Sequence, residues 1–159
     1  MSLDVMGSET HGMSQRGGSV VAHLKLGKFQ SPLIRKGAAD ILYSFEENET
    51  YRTLHFLKSR GICFVNLESV DQFNKSILKF MKEIDITLRA YDATGAASKI
   101  GSIRSANIAL IGYSVGTGLV PFKYEDLRSV LELVSRKKNL KINLNALEIG
   151  FQEGKLLNR

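Results

Sequence analysis

The 159-residue chain has one cysteine, two prolines and no tryptophan. A lone thiol forms no intrachain disulfide and holds no iron–sulfur cluster, which takes about four thiolates. Cys63 lies in the apolar run Ile62-Cys-Phe-Val-Asn-Leu67, the setting of a buried, inert thiol rather than a reactive one. Such sparing use of cysteine fits a reducing compartment. No stretch reaches the ~18 consecutive apolar residues of a membrane span and no secretory leader is visible, so a cytoplasmic location and no membrane contact are expected. Histidine, cysteine and carboxylates do not cluster at ligand spacing, and no metal site is expected.

Acidic residues are also in short supply, leaving a net charge of +6. Residues 1–80 carry +2 of it and residues 81–159 carry +4. The densest cluster, Arg136-Lys137-Lys138 with Lys141 beyond, closes an expected helix, where cations complement the helix dipole. With no tryptophan and no basic face interleaved with aromatics, a nucleic-acid partner is not expected.

What is present reads as a single α/β domain over residues 1–159. A chain this long can bury around 70% of its unfolded surface, and it shows no repeat, low-complexity tract or linker. Residues 19–26 alternate, with Val20, Ala22, Leu24 and Leu26 on one side and Val21, His23 and Lys25 on the other. This is the pattern of a half-buried strand. Ala39–Phe45 reads as a buried strand, and a helix is expected from Glu46 to Arg60. Three glutamates sit in its first turn, Lys58 and Arg60 in its last, and Gly61 lies past the end. Ile62–Leu67 is a continuous apolar run, expected to be a strand covered on both faces. Phe73–Glu83 is an amphipathic helix, Ile86–Ala90 a short strand, and residues 92–102 a loop or short helix. Ile103–Gly116 reads as a buried helix. Lys123–Lys137 and Asn139–Leu156 carry helical apolar stripes. Strands alternating with helices predict a three-layer α/β/α sandwich with a mostly parallel sheet. The early strands hint at an antiparallel contribution, and the helical C-terminal third is expected to cover the sheet.

The densest functional signal is the stretch from Gly7 to Gly27. Its glycine-rich loop gathers Glu9, His11, Gly12, Gln15, Arg16, Gly17 and Gly18 just before the alternating strand. Gly17 and Gly18 can present backbone N–H groups to an anion, with Arg16 adding charge. The dinucleotide fingerprint is excluded, because these glycines open a strand rather than a helix. A binding or interface loop is the favoured reading over a plain connector. His11 has no nucleophile at a recognisable spacing, so no catalytic residue is assigned. His23 and His55 are expected to be packing or surface residues. Glu46, where a strand's carboxyl end meets a helix, is a secondary candidate, although the helix dipole alone accounts for an acid there.

Ser8-Glu-Thr-His-Gly-Met-Ser-Gln-Arg-Gly-Gly-Ser-Val-Val-Ala-His23 resembles the beta subunit of indolepyruvate:ferredoxin oxidoreductases. More broadly, it resembles the gamma component of 2-oxoacid:ferredoxin oxidoreductases. The likeness continues through Ser31–Ile34, Gly37–Asp40, Phe45-Glu46 and Val65-Asn66, then Ala106-Asn107 and Asn143–Gly150. It is weakest over residues 68–100. Asn107 becomes a second secondary candidate on this ground. The resemblance implies a complex that decarboxylates a 2-oxoacid on thiamine diphosphate, forms an acyl-CoA and reduces ferredoxin. Thiamine diphosphate, magnesium and the iron–sulfur clusters are then expected on the alpha subunit, with coenzyme A as co-substrate and this chain inactive alone. The family opens with an apolar strand and a glycine-rich turn ahead of the segment matching Asp4. That unit is not seen here, which leads to an expectation of self-association. Two other readings stay open: a free-standing basic module binding nucleotide or nucleic acid, and a non-catalytic scaffold of the same fold.

Overall fold

The computed structural model describes residues 4–11 and 19–157. Three parallel strands, β3 (Ala39–Ser44), β4 (Leu57–Asn66) and β5 (Thr87–Tyr91), form a sheet in the order β3-β4-β5. Ahead of them β1 (Val5–His11) and β2 (Val20–Leu26) make a separate antiparallel hairpin. The helices are α1 (Glu47–Thr53), α2 (Lys75–Glu83), α3 (Ala93–Lys99), α4 (Ala106–Gly116), α5 (Tyr124–Val134) and α6 (Lys137–Leu156).

Strand β4 shows why the sheet is central. Side chains alternate across a strand, and here both sides are dry. Cys63 and Val65 enter one core with Leu54, Phe73 and Met81, while Phe64 enters another with Ala109, Leu110, Tyr113 and Ala146. An apolar run without alternation is the sequence mark of such two-sided burial. Helices α1 and α2, on the crossovers β3–β4 and β4–β5, cover the first face. Helices α4 and α6 cover the second. This is the expected three-layer arrangement, with the C-terminal third over the sheet.

The pairing of α4 with α6 is set by glycine. A Cβ on Gly112 would lie 2.3 Å from the Leu147 carbonyl oxygen, and one on Gly150 would lie 2.0 Å from that of Ala109. Gly116 and Gly154 meet the Phe151 and Tyr113 carbonyls in the same way, each at 2.2 Å. The backbones are therefore in direct contact, which lets Leu110 and Leu147 pack at full burial.

The expected helix over 46–60 is corrected. It stops at Thr53, a short 3-10 turn follows at Leu54–Phe56, and β4 already begins at Leu57. Lys58 and Arg60 do not close a helix: Lys58 pairs with Asp40, and Arg60 pairs with Asp85 at 3.7 Å. The β3–β4 register shifts between Ala39 and Ile41, and the bulge is held where Ser59 Oγ and Arg60 N both donate to the Ile84 carbonyl. Gly61 is needed because a Cβ there would lie 2.6 Å from Leu57 Cγ, so it marks a close approach rather than a helix end.

The hairpin settles which side of the alternating strand is buried. In β2 the buried side is that of His23, with Val21 and Lys25 half-buried beside it, while Val20, Ala22, Leu24 and Leu26 are exposed. Alternation marks the strand, but the polar side faces inward. His23 is held by its Nδ1 accepting from Ile34 N at 3.2 Å and by an edge contact with Phe56, ring centroids 5.0 Å apart.

Candidate functional site

In a parallel sheet all carboxyl ends share one edge, and open α/β sheets bind ligands there. Here the edge is built from Ser44, Asn66 and Tyr91, the last residues of β3, β4 and β5. Asn66 joins it together. Its Nδ2 donates to the Phe45 carbonyl at 3.1 Å and to Thr94 Oγ1 at 2.8 Å, and its Oδ1 accepts from Thr94 N at 3.1 Å. Beside it Asp92 caps α3 by accepting from Gly95 N at 2.7 Å. A Cβ on Gly95 would fall 1.9 Å from Asp92 Oδ2, so a larger residue there would have to displace the Asp92 side chain.

Glu46 stands on the same edge, exposed, at the N-cap of α1, where its side chain makes no capping bond. Its carbonyl accepts from Ser44 Oγ at 2.8 Å and from Thr50 N at 3.1 Å. The carboxylate is thus positioned by its own backbone and turned to solvent. Asn107 is not brought to it. It sits exposed in the first turn of α4, its Oδ1 accepting from Ile108 N at 2.9 Å.

Of the glycine-rich loop, Glu9 lies exposed on β1 opposite Ala22, and the backbone of His11 ends the strand opposite Val20. The His11 side chain and Gly12, Gln15, Arg16, Gly17 and Gly18 fall outside the described residues. Just ahead of β2, Ser19 Oγ donates to the carboxylate of Glu49 in the first turn of α1. Glu46 is three residues from Glu49, so the tertiary fold brings Ser19 near the carboxyl edge of the sheet.

Under that edge runs an aromatic row. Tyr43 stacks on Phe64 at 5.3 Å, Phe64 meets Tyr113 edge-on at 6.3 Å, and Tyr113 stacks on Tyr91 at 4.7 Å. The Tyr43 hydroxyl is bonded to Ser114 Oγ at 2.8 Å. The Tyr91 hydroxyl is buried with no hydrogen-bond partner among the described residues. Burial first, then Glu153 and Asp92, push its pKa up to about 12. Burial alone takes the Cys63 thiol to about 12. These groups stay protonated at neutral pH. The edge offers hydrogen bonds and shape that can position a ligand or partner; among the described residues it brings together no paired nucleophile and base.

The described residues also do not suit the inorganic cofactors the resemblance implies. Among them no group of three or more His, Cys, Asp or Glu is placed to hold a metal ion, and Cys63 is fully buried. No described helix is long and apolar enough to cross a membrane. A cavity of about 460 Å³, lined by Ser98, Gly101, Ser102, Ile103 and Arg104, lies at the turn between α3 and α4 and includes none of the candidate residues.

The sequence profile of the pyruvate ferredoxin/flavodoxin oxidoreductase family matches residues 1–153. Indolepyruvate oxidoreductase subunit IorB of Archaeoglobus fulgidus is 28% identical, the match covering 95% of this chain and 81% of that protein. The subunit of the same name from Thermococcus kodakarensis is 31% identical over 92% of this chain and 79% of that one. Among solved structures, the gamma subunit of a keto/oxoacid ferredoxin oxidoreductase from Geobacter sulfurreducens superposes with a TM-score of 0.72 at 19% identity. That superposition covers 97% of this chain and 82% of the other. The 2-oxoglutarate:ferredoxin oxidoreductase of Magnetococcus marinus, solved with 2-oxoglutarate, coenzyme A and succinyl-CoA, also gives 0.72, at 16% identity. There the fold covers 97% of this chain but only 26% of that longer one.

Proposed function

Since the chain belongs to the pyruvate ferredoxin/flavodoxin oxidoreductase family, we propose that it is the non-cofactor-bearing subunit of an indolepyruvate:ferredoxin oxidoreductase. The complex would oxidatively decarboxylate an aryl-pyruvate to an acyl-CoA, with the electrons leaving on ferredoxin. The observation that carries this reading is the match, over more than nine-tenths of the chain, to subunits named for indolepyruvate. The His-Gly-Met-Ser-Gln-Arg-Gly-Gly wording of residues 11–18 supports it. Thiamine diphosphate, magnesium and the iron–sulfur clusters belong on the alpha subunit and supply the carbanion and electron-transfer chemistry there. This chain contributes shape and polar contacts: Arg16 and the Gly17-Gly18 amides toward the anionic end of coenzyme A or the partner's surface, and Glu46 at the sheet edge.

Reconstitution with the thiamine-dependent alpha subunit tests the proposal. The complex is expected to reduce ferredoxin with indolepyruvate in a coenzyme A-dependent way, while the isolated chain is colourless and inert. Arg16→Ala removes a charged donor worth about tenfold, so either assembly or the KM for coenzyme A should worsen by that factor. Turnover by the lone chain would overturn the reading. So would failure to join the alpha subunit combined with nucleic-acid binding that falls steeply with salt.

A further inference from the structure

We propose that α5 is a strap that opens as a unit while the parallel sheet, α4 and α6 stay folded, and that the hydrogen bond from Tyr124 to Glu148 is its latch. The inference concerns this chain alone and does not depend on the function proposed above. Helix α5 joins two helices that are locked to each other, because glycines bring the backbones of α4 and α6 into direct contact. Both of those helices are anchored by burial, α4 at Ala109, Leu110 and Gly112–Gly116 and α6 at Ala146, Leu147, Gly150 and Gly154. In α5 no residue is buried. Val130 is 50% exposed, Leu133 84% and Val134 70%, so the last turns of the helix keep their apolar side chains in water.

The ties of α5 to α6 are concentrated at its two ends. At the start, the Tyr124 ring lies on Phe151 with centroids 4.4 Å apart, and its hydroxyl donates to the Glu148 carboxylate. One turn on, Leu127 packs partly buried against the core around Phe64 and Leu110. At the far end Asn143 Nδ2 donates to Ser135 Oγ at 3.0 Å. Inside the helix the Arg128–Glu132 pair, at 3.3 Å and about half exposed, adds little, and Lys123 at the N-cap makes no side-chain capping bond. Helices shorter than ~12–15 residues are marginal in water by themselves, so the 11 residues of α5 keep their shape through docking. The connectors permit release. Gly118 takes a left-handed φ of 68°, and Ser135 and Arg136 are extended, so neither neighbouring helix has to unwind. An element with so few buried apolar contacts opens well before the whole chain does. Glu148 is itself held by Gln152 Nε2 at 2.6 Å, which keeps the carboxylate placed to receive Tyr124 when the strap closes. Opening bares Phe151 and the side of the core that Tyr124 and Leu127 cover.

Hydrogen exchange of the full chain, read by mass spectrometry on peptides from α4, α5 and α6, tests the strap. Amides of α5 are expected to exchange at least about 100-fold faster than those of α4. Their rate should also be nearly flat at low urea, because local opening exposes little surface. Tyr124→Phe keeps the ring on Phe151 and removes only the hydroxyl. It should speed exchange in α5 about 5-fold, the effect of one hydrogen bond, and leave α4 unchanged. Glu148→Ala removes the acceptor and should act in the same direction. Protection of α5 equal to that of α4 would overturn the proposal, and so would a joint loss of protection in all three helices as urea rises. Exchange in α5 that stays at the parental rate in both variants would overturn it as well, since the latch would then hold nothing.

Discussion

Gly150→Ala probes the contact that holds the C-terminal layer together. Two effects of opposite sign compete. Replacing a mid-helix glycine by alanine stabilises α6 by about 1 kcal/mol through helix propensity. The new methyl, however, would sit 2.0 Å from the Ala109 carbonyl oxygen and 2.8 Å from Tyr113 N. Both are backbone atoms that no rotamer change can move. Restoring ordinary van der Waals separation means pushing α4 and α6 apart along a contact where Gly112, Gly116 and Gly154 are just as close. That separation opens the packing around Leu110, Ala146 and Leu147, all nearly or fully buried. Overpacking of this kind costs about 1–3 kcal/mol and occasionally more, and the shared loss along three further glycines places it at the upper end. The net expectation is a destabilisation of about 2 kcal/mol, a drop in Tm of about 4–8 °C for a chain of this size. Chemical denaturation and thermal melting followed by circular dichroism measure it. Asn145→Ala, exposed on the same helix, is the control and should stay within about 0.5 kcal/mol. A Gly150→Ala protein that melts at or above the parental temperature would show that propensity wins, and would refute backbone contact between α4 and α6.

Asn66→Ala removes three hydrogen bonds that tie the ends of β3 and β4 to the start of α3. It should cost about 1–3 kcal/mol and speed hydrogen exchange at the Thr94 amide; unchanged exchange there would mean the edge is held by other contacts. Alkaline pH should destabilise the fold. Tyr91 rises from 10.0 to about 12 and Cys63 from 9.0 to about 12, both by burial. The unfolded chain loses these protons first, so the stability is complete below about pH 9 and is lost as pH climbs toward 12. Urea midpoints with tyrosinate absorbance follow this, and a midpoint flat from pH 9 to 12 would contradict it. For the same reason Cys63 should resist thiol reagents until the chain unfolds, whereas prompt labelling of the native protein would place it at the surface.

Periodicity and composition carried much of this. The run Ile62–Leu67 announced a strand with no wet face, and the all-round apolar Ile103–Gly116 announced a buried helix, because burial on every side leaves no polar positions to interrupt the pattern. The loop wording at residues 8–23 pointed to the family that the profile matches. Other features depended on contacts distant in sequence. Lys58, Arg60 and Gly61 look locally like a helix end, but Asp40, Asp85 and the Ile84 carbonyl draw the same residues into a bulged strand. Alternation in residues 20–26 defines two faces without saying which one meets the protein. The answer came from Ile34 and Phe56, which receive His23 and leave the leucines outside. Likewise nothing near Asn66 or Ser19 in the chain signals their roles, since their partners Thr94 and Glu49 lie 28 and 30 residues away. Local pattern encodes how much of a segment is buried; which neighbour buries it is decided only when the layers meet.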